Sequence, residues 1–443
     1  ELEREQRAAT SEEQRVLAAW SGWGALPHVF ENREGWHEEH ERLREVLTAD
    51  EYRAAERNTL NAHYTDPKIA DAMWRSLTRF GLGAGASVLE PGCGSGTFMA
   101  TAPEDTRMIG VELDPFTARV AHYLHPKHQV RNEGFENTLL PKNGVDAAIG
   151  NVPFGKFTLL DSKHNPQRLT IHNHFIVKSL AATRPSGLVA VITSGFTMDA
   201  GGTKARTEMA KLGKLVAGVR LPTDAFKDVA GTSVNTDILV FQRHDEDIAV
   251  PDMAKLSWAG TEELTEGVAV NKFFAQHPER VLGEMTTRSG QFGPTLVVKD
   301  ERGTPLAERV EEQLLFQMRA NASPVRERDT NLDIDASDVE PGLYVPVPEE
   351  QKPVMGMFVD VRKLSQVDES VGRIVRWTGT EWEDAGVRKN AMKETLALME
   401  VRDAARSVVE SQSDKNSTEN EREQARHILN VAYDPVSYTH LTL

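Results

Sequence analysis

Six short apolar runs, separated by longer mixed segments, constrain the fold of this chain more than any other feature. The runs begin at Ser87, Met108, Val145, Leu188, Leu215 and Asp237. Stretches with helical character, at 115–124, 174–183 and 205–212, separate most of them. Apolar strands that alternate with helices are typical of a parallel, doubly wound sheet that is buried on both faces. We therefore predict an α/β fold whose ligands bind beyond the carboxyl ends of the strands.

The same patterns divide the chain into four regions. Residues 1–60 are predicted to form a helical N-terminal extension, 61–245 the α/β core, and 246–434 a C-terminal region of mixed helices and strands. Residues 435–443 interrupt a helical pattern. We expect these last residues to be a non-native tail and the chain to be an internal fragment of a longer protein.

Local signals in the C-terminal region are weaker. A helix is predicted at 308–320, and two strand-like runs follow at 357–361 and 373–377. The second run leads into a hairpin turn at 378–380. Residues 387–432 are predicted to form two helices that a polar stretch separates.

The distribution of charge permits a nucleic-acid partner for the core alone. The chain carries 67 Asp and Glu against 51 Lys and Arg, a net charge of −16. Residues 60–245 carry 20 Lys and Arg against 17 Asp and Glu, a net of +3, and residues 151–214 carry 9 against 3. The acidity therefore lies on the flanks of a mildly basic middle.

Two absences narrow the class of protein further. No apolar run reaches the ~18 residues that a membrane helix needs, and no signal peptide is present. The single cysteine, Cys93, excludes a disulfide framework and a cysteine-rich zinc site. We expect a cytoplasmic protein without a membrane partner.

A glycine-rich segment follows the first apolar run. Gly92, Gly94 and Gly96 lie in Leu-Glu-Pro-Gly-Cys-Gly-Ser-Gly-Thr-Phe at 89–98, between a predicted strand and a predicted helix. Glu112 ends the next run, about 20 residues after Gly92, the spacing at which an acid meets a ribose hydroxyl in nucleotide sites. The alternative is that Glu112 caps a helix, a role we assign to Asp114 beside its proline.

A third motif follows another strand and identifies the family. Asn151-Val-Pro-Phe154 resembles the (Asp/Asn)-Pro-Pro-(Tyr/Phe) motif of S-adenosylmethionine-dependent amino-methyltransferases. The glycine-rich segment resembles their methionine-binding loop, and Tyr64-Thr65-Asp66-Pro67 resembles the motif that closes over the cofactor. The order of the motifs is similar to that of γ-class DNA N6-adenine methyltransferases. Independently of this resemblance, Asp66 and Pro67 predict a helix start, with Asp66 as the N-cap and Pro67 at the first helical position.

The resemblance implies a Rossmann-like class I methyltransferase core and S-adenosylmethionine as cofactor. The cofactor-binding residues that it implies are Tyr64, Thr65, Glu90, Gly92, Gly94, Gly96, Glu112 and Phe135. It further implies that the Asn151 side chain and the Pro153 carbonyl accept hydrogen bonds from the target amine and that Phe154 stacks on the base. The target would be the N6 amine of an adenine flipped out of DNA.

Two positions depart from the family pattern. Val152 replaces the first proline of the motif, so a double-proline turn is lost. Phe135 lacks the acid that many relatives place before it, which leaves Glu133 or Glu136 to accept from the cofactor's adenine amine. A narrower resemblance, to methylase domains of large phage and plasmid proteins, implies a helicase in the same parent chain and a role in modification or protection from restriction.

Other polar and aromatic residues have two interpretations each. Lys156, Lys163, Arg168 and Lys178 either contact DNA phosphates or form a solvated face. His164, His172 and His174 are interpreted as loop and helix-start residues, and no metal site is predicted. Trp20, Trp23 and Trp36 either stack on bases or, as we favour, anchor the N-terminal helices in a core.

Three alternatives to adenine methylation remain open. The same chemistry acts on cytosine N4 or on a protein glutamine, and a DNA-binding module of a helicase machine would bind cofactor without turnover. Cytosine C5 methylation is excluded, because it needs a nucleophilic thiolate and Cys93 lies in the glycine-rich segment. Target recognition is expected after about residue 250, and the sequence predicts no oligomeric state.

Overall fold

The computed structural model describes most of the chain up to residue 326 and short stretches beyond it. The described residues are 2–5, 7–20, 22–23, 27–31, 35–58, 65–226, 235–290, 293–300, 303–326, 358–360, 374–377, 382–384, 399, 401–402, 404–405, 408 and 429. The chain divides into two compact units, Glu1–Asp329 and Thr330–Leu443. The first unit therefore contains both the predicted N-terminal extension and the predicted α/β core.

The helices described in the first unit include several that begin at a capping side chain. The described helices are α1 (Leu2–Glu5), α2 (Ser11–Ala18), α3 (His37–Val46), α4 (Ala49–Asn58), α5 (Pro67–Arg79), α6 (Thr97–Ala100), α7 (Pro115–Leu124), α8 (Ile171–Ala182), α9 (Phe196–Asp199), α10 (Lys204–Leu212), α11 (Lys272–Ala275) and α12 (Leu306–Asn321). Asp66 caps α5 and Asp114 caps α7, each followed by proline at the first helical position. Both caps confirm the prediction.

A seven-stranded sheet forms the centre of this unit. Its strands are β1 (Ser87–Pro91), β2 (Arg107–Glu112), β3 (Gln129–Asn132), β4 (Val145–Asn151), β5 (Thr183–Ser194), β6 (Gly213–Arg220) and β7 (Thr236–Arg243), in the order β3-β2-β1-β4-β5-β7-β6. The strand β1 lies between β2 and β4 and runs parallel to both. All six predicted runs are strands, and the Rossmann-like α/β fold is confirmed.

Two features of the sheet differ from the prediction. The strand β7 runs antiparallel to β5 and β6, whereas a wholly parallel sheet was predicted. An apolar run reports burial and not direction, so its pattern does not distinguish the two cases. The edge strand β3 was missed because its four residues, Gln-Val-Arg-Asn, are mostly polar and only part-buried.

Both faces of the sheet are buried, because successive side chains of a strand point to opposite sides. Val88 and Ile238 lie on the face that α5 and α12 cover. Leu89 and Leu239 lie on the other face, against α8 and α10. Helices on both sides hold the strands in place and leave the strand ends to carry the loops.

The segment after β7 packs on the core. It forms two hairpins, β8 (Thr261–Thr265) with β9 (Val268–Asn271) and β10 (Glu284–Gly290) with β11 (Gly293–Lys299), and then α12. The helix α12 confirms the predicted helix at 308–320. The Gln317 side chain bonds both backbone groups of Gly218 in β6, at 3.2 and 3.0 Å, which fixes α12 on the sheet.

In the second unit, three short strands form an antiparallel sheet. They are β12 (Phe358–Asp360), β13 (Ile374–Trp377) and β14 (Trp382–Asp384), in that order. The two predicted strand-like runs are confirmed. The predicted turn at 378–380, nearly all of the predicted helices at 387–432, and the tail at 435–443 lie outside the described residues. No helix in the described part of the chain is long and apolar enough to cross a membrane.

A buried ion group connects β6, β7 and α9. Arg220 and Asp237 have no exposed surface, and two hydrogen bonds of 2.8 and 2.9 Å join them. Asp199 lies 2.9 Å from a third nitrogen of Arg220, and the Phe274 ring stacks on the guanidinium at 4.4 Å. Arg220 therefore depends on both carboxylates for its ion pairs, and the buried Asp237 carboxylate depends on Arg220.

We predict that Asp237→Ala lowers the free energy of unfolding by about 3–5 kcal/mol, because it leaves Arg220 with a single carboxylate in the core. Urea unfolding of the full chain, followed by tryptophan fluorescence, measures the change. Asp245→Ala is the control: it removes an exposed pair with Arg326 at 2.8 Å and should cost below about 1 kcal/mol. Equal losses in the two variants would contradict the role of the buried group.

Candidate functional site

Loops from the carboxyl ends of β1, β2 and β4 line one pocket. The three strands are adjacent and parallel, so the residues that follow Pro91, Glu112 and Asn151 leave the sheet at the same edge. Thr65, before α5, and Phe135, after β3, also line the pocket. Doubly wound sheets bind their ligands at this edge, where the strand order reverses.

The glycine-rich segment turns the chain sharply between β1 and α6. Gly92, Gly94 and Gly96 have positive φ angles of 69°, 55° and 87°, which residues with a Cβ rarely adopt. A Cβ on Gly92 would lie 3.4 Å from Pro153 Cδ, whereas a Cβ on Gly94 would meet no atom within 4 Å. The loop therefore packs against the third motif on one side and borders open space on the other.

Glu90 is a buried carboxyl group at the base of the pocket. It is 2% exposed, and it accepts hydrogen bonds from the backbone N–H groups of Phe98 and Met99. Its Oε2 atom has no hydrogen-bond partner among the described residues. Burial raises the pKa of Glu90 well above its usual range. A buried oxygen without a partner is costly, so this position favours a ligand that donates to it, above all a cation.

Glu112 holds the glycine-rich segment against β2. Its Oε2 accepts from the Gly94 N–H at 2.9 Å, and its Oε1 accepts from the Asp114 N–H at 2.8 Å. Burial raises the pKa of Glu112 to about 7, against the opposing effect of these two hydrogen bonds. Both acids line the pocket, but Asp114 caps α7 whereas Glu112 bonds the glycine-rich segment, so the two acids have different roles.

The third motif ends β4 in a turn that Val152 fixes. Asn151, Val152 and Pro153 all border the pocket, and the Val152 side chain is fully buried. The Val152 N–H donates to the Ile192 carbonyl at 3.0 Å and so continues the ladder between β4 and β5. A proline has no N–H and would lose this bond. The departure at Val152 therefore keeps the turn rigid by another means.

The loop between β4 and α8, residues 152–170, is tied to the core by a buried charge cluster. The cluster consists of Asp161, His164, His174 and Lys178. The Asp161 carboxylate accepts from His174 and Lys178, both at 3.0 Å, and lies 3.4 Å from His164. Burial opposes ionisation, but hydrogen bonds from His164, His174 and Lys178 outweigh it and hold the pKa of Asp161 far below its usual range.

Asn165 closes the same loop from within. Its amide nitrogen donates to the carbonyls of Leu159 and Leu169 at 3.0 and 3.1 Å, and its oxygen accepts from the Leu169 N–H at 2.7 Å. Asn165 is 3% exposed, so no solvent competes for these bonds. The loop therefore has a defined conformation that its own side chains maintain.

The prediction that Lys178 contacts DNA phosphates is wrong. Lys178 is 2% exposed, and its ammonium group donates to Asp161 and, at 3.1 Å, to the Glu136 carbonyl. Its helix, α8, is buried on nearly all sides, so the lysine faces the core. Lys156, Lys163 and Arg168 lie exposed on the 152–170 loop, as a phosphate contact requires.

The structure brings together most of the residues predicted for the cofactor. The lining residues among them are Thr65, Glu90, Gly92, Gly94, Glu112 and Phe135, with Glu133 and Glu136 beside them. Gly96 does not line the pocket, because it faces His125, which a Cβ would approach to 2.5 Å. Tyr64 lies outside the described residues. Phe154 is part-buried, packs against the apolar residues on both faces of the sheet, and is not among the lining residues.

Apolar lining residues were missed by the sequence analysis. Examples are Phe98, Leu113, Phe157, Leu159, Ile171 and Phe175. Leu113 follows Glu112 directly and is 61% exposed, although a large apolar side chain is usually buried. Its position directly after Glu112, at the carboxyl end of a strand, is the signal that could have predicted Leu113 as a lining residue. The others lie in patterns that also describe an ordinary core.

The histidines and tryptophans have structural contacts. His172 and His174 lie in the first turn of α8, as predicted, and burial lowers the pKa of His172 to about 4. The described residues include no group of three or more His, Cys, Asp or Glu side chains placed to hold a metal ion. Trp23 is buried in a small cluster against which Trp20 and Trp36 pack, which confirms their role as core anchors.

Cys93 is buried within the glycine-rich segment. Burial raises the pKa of its thiol well above its usual range, so the thiol stays protonated. A protonated, buried thiol is a poor nucleophile. The geometry agrees with the exclusion of chemistry that needs an attacking thiolate.

Comparison with known proteins identifies a family for this chain. The family model described as N-6 DNA methylase matches residues 50–339, more than half of the chain. No curated protein matches the sequence.

Several solved structures are similar to this chain, at sequence identities below 20%. A protein from Listeria monocytogenes assigned as a class I S-adenosylmethionine-dependent methyltransferase is 19% identical, over 53% of this chain and 83% of that one, with a TM-score of 0.36. A protein from Vibrio vulnificus assigned as a type I restriction modification subunit is 19% identical, over 59% and 64%, with a TM-score of 0.37. The type I methyltransferase subunit from Streptococcus thermophilus is 14% identical, over 65% and 67%, with a TM-score of 0.36. The chain thus spans just under two thirds of the Vibrio subunit.

The pocket fits S-adenosylmethionine, the cofactor of this family. The unpartnered Glu90 oxygen suits the cofactor's cationic amino group, and Glu112 suits the ribose hydroxyls. The open face of Gly94 leaves room for a ligand to approach the backbone. These three features come from the ends of two adjacent strands, β1 with its loop and β2, and meet in one pocket.

We predict that affinity for the adenosyl group rises about tenfold from pH 6 to pH 8. Glu112 has a pKa of about 7, and a carboxyl group at this position would accept from both ribose hydroxyls of a bound ligand only when it is ionised. Calorimetric titration with 5′-methylthioadenosine, which lacks the amino-acid end, isolates this effect. Glu112→Gln should weaken binding and flatten the pH profile. Glu133→Gln, at another lining position, should retain the profile; a flat wild-type profile would contradict the role of Glu112.

Proposed function

The chain belongs to the N-6 DNA methylase family, and on that premise we propose that it methylates the N6 amine of an adenine flipped out of duplex DNA. The proposed methyl donor is the cofactor of the pocket at the edge of the sheet. We further propose Asn151, Pro153 and Phe154 as the residues that act on the base. We propose Thr65, Glu90, Gly92, Gly94, Glu112 and Phe135 as the residues that bind the cofactor.

One observation supports this proposal above the others. Asn151 and Pro153 line the same pocket as the glycine-rich segment and Glu112. The close approach of Gly92 to Pro153 supports the proposal, because it brings the third motif against the glycine-rich segment. A methyl transfer by direct displacement needs donor and acceptor in this proximity.

The proposed chemistry uses positioned hydrogen-bond acceptors. S-adenosylmethionine, when bound, supplies an electrophilic methyl group on a sulfonium. The adenine amine is a weak nucleophile, because its lone pair is delocalised into the ring. The Asn151 side-chain oxygen and the Pro153 carbonyl accept from its two N–H groups and draw the nitrogen toward a tetrahedral geometry. The Val152 ladder bond holds both acceptors in place before the base arrives.

Exposed groups beside the pocket suit a nucleic-acid strand. Phe196, which follows β5, is 65% exposed, and the Lys156 ammonium lies 5.9 Å from its ring centroid. Lysines bind backbone phosphates and aromatic rings stack on unpaired bases, so the pair suits the DNA around a flipped nucleotide. We propose Lys156, Lys163 and Arg168 as phosphate contacts.

The wider setting follows from the narrower resemblance. We propose that the chain is the methylase part of a phage or plasmid protein that carries a helicase in the same parent chain and serves modification or protection from restriction. Residues after about 250 then contribute to target recognition or to the link with the helicase. The parent gene, read beyond both ends of this chain, tests the proposal.

We predict that Asn151→Ala lowers the methylation rate about 100- to 1000-fold, because it removes one of two positioned acceptors. Mass spectrometry of nucleosides, after incubation with S-adenosylmethionine and unmethylated DNA, measures the product. Asn151→Asp is the matched control, since the family motif accepts either residue, and it should retain substantial activity.

The product distinguishes the proposed function from its alternatives. N6-methyladenine from the wild-type chain and little from Asn151→Ala supports the proposal. N4-methylcytosine, or methylation of a protein glutamine, would keep the mechanism and overturn the substrate. Retained cofactor binding without any product, in the parent protein as in this chain, would favour the binding module.

We predict that Lys156→Met and Lys163→Met each weaken DNA binding and reduce the salt slope by about 1, because each removes one phosphate contact. Fluorescence anisotropy at several salt concentrations measures both quantities. Lys127→Met is the control, since Lys127 is exposed and lies between α7 and β3, at the amino ends of the parallel strands. An equal effect in Lys127→Met would show that only net charge matters.

A further inference from the structure

The N-terminal extension reaches the cofactor pocket through Trp23. Gly22 and Trp23 line the pocket together with Glu112, Leu113 and Asp114. Trp23 is only 5% exposed, although it lies far from the core in sequence. The extension therefore supplies part of the wall beside the proposed ribose acid.

A chain of hydrogen bonds links Trp23 to the glycine-rich segment. The Trp23 indole N–H donates to Asp114 Oδ2 at 3.3 Å. The Asp114 N–H in turn donates to Glu112, which accepts from the Gly94 N–H. The Asp114 Oδ1 atom is buried without a partner among the described residues. Trp23 is thus part of the same polar network as the groups that face the adenosyl end of the cofactor.

Aromatic and ionic contacts hold Trp23 in this place. Its ring packs edge-on against Trp20 at 4.6 Å and Phe30 at 5.3 Å, and lies 5.6 Å from Phe116 of α7. Arg119 of α7 bonds Glu51 of α4 at 2.6 Å. The extension is therefore docked on the helix that follows Glu112, which gives the indole a fixed position.

Trp20 provides a contrast within the same contact. Its indole N–H donates to Thr117 Oγ1 at 3.2 Å, and its ring packs on Phe116 at 4.9 Å. Trp20 thus anchors the extension on α7 much as Trp23 does, yet it does not line the pocket. An anchoring role is shared by both tryptophans, and a ligand contact is open to Trp23 alone.

We propose that Trp23 is a cofactor-binding residue that contacts the adenosyl group of S-adenosylmethionine. The part of the Trp23 indole that borders the pocket beside Glu112 excludes water from the nucleoside and packs against it. The N-terminal extension is then a component of the cofactor site and not only a structural lead into the core. This inference rests on the proposed cofactor pocket and is independent of which amine is methylated.

Calorimetric titration with S-adenosylhomocysteine tests the inference on the full chain. Trp23→Ala should weaken binding about 10- to 100-fold, the range that loss of an aromatic–base contact produces, and Trp20→Ala should change it less than about threefold. Equal weakening in both variants would overturn the inference, because it would show that docking of the extension alone matters.

A fluorescence measurement separates contact from folding. S-adenosylhomocysteine should change the tryptophan emission of the wild type and of Trp20→Phe, and the change should be lost in Trp23→Phe, which keeps an aromatic ring and binds the ligand. An unaltered emission change in Trp23→Phe would overturn the inference. If the wild type fails to bind S-adenosylhomocysteine, the cofactor pocket falls and this inference with it, whereas failure to methylate adenine leaves it standing.

Discussion

The site depends on how closely the glycine-rich segment packs against β2. Gly110 in β2 leaves room for two side chains, since a Cβ there would lie 2.2 Å from Met99 Cε and 2.8 Å from Cys93 Sγ. The Cys93 N–H also donates to the Val111 carbonyl at 2.9 Å. This contact sets the direction in which the loop leaves β1, and with it the distance from Gly94 to Glu112 and from Gly92 to Pro153. A side chain at position 110 would have to displace Met99 and Cys93, and with Cys93 the loop that carries Gly92 and Gly94.

Much of the fold was predictable because burial leaves a direct record in the sequence. The six strand runs, the caps at Asp66 and Asp114 and the helix α12 all follow from local pattern. The direction of β7 and the presence of β3 did not, since direction is set by tertiary pairing and a polar edge strand has no apolar signal. The local pattern of apolar residues predicts which segments are buried and where elements begin. It does not predict which strands pair with each other.

The residues of the site that belong to short sequence motifs were predictable, and those placed by contacts between distant segments were not. The glycines, Glu112 and Asn151 belong to short motifs at strand ends, where chemistry and geometry coincide. Lys178 was assigned to the surface because charge usually implies exposure, but Asp161 makes burial possible at this position. Trp23 reaches the pocket through contacts between distant parts of the chain, which no local spacing records.

The defined conformation of the 152–170 loop has a consequence for the rate at which the proposed DNA substrate would bind. Asp161 and Asn165 hold this loop through bonds within the protein, without any contribution from a ligand. Ordering a flexible segment on binding costs conformational entropy and slows association, and a loop already ordered avoids both. For the proposed reaction on a flipped base, the ordered loop would leave encounter with DNA limited by diffusion and by extrusion of the base, and not by rearrangement of this loop.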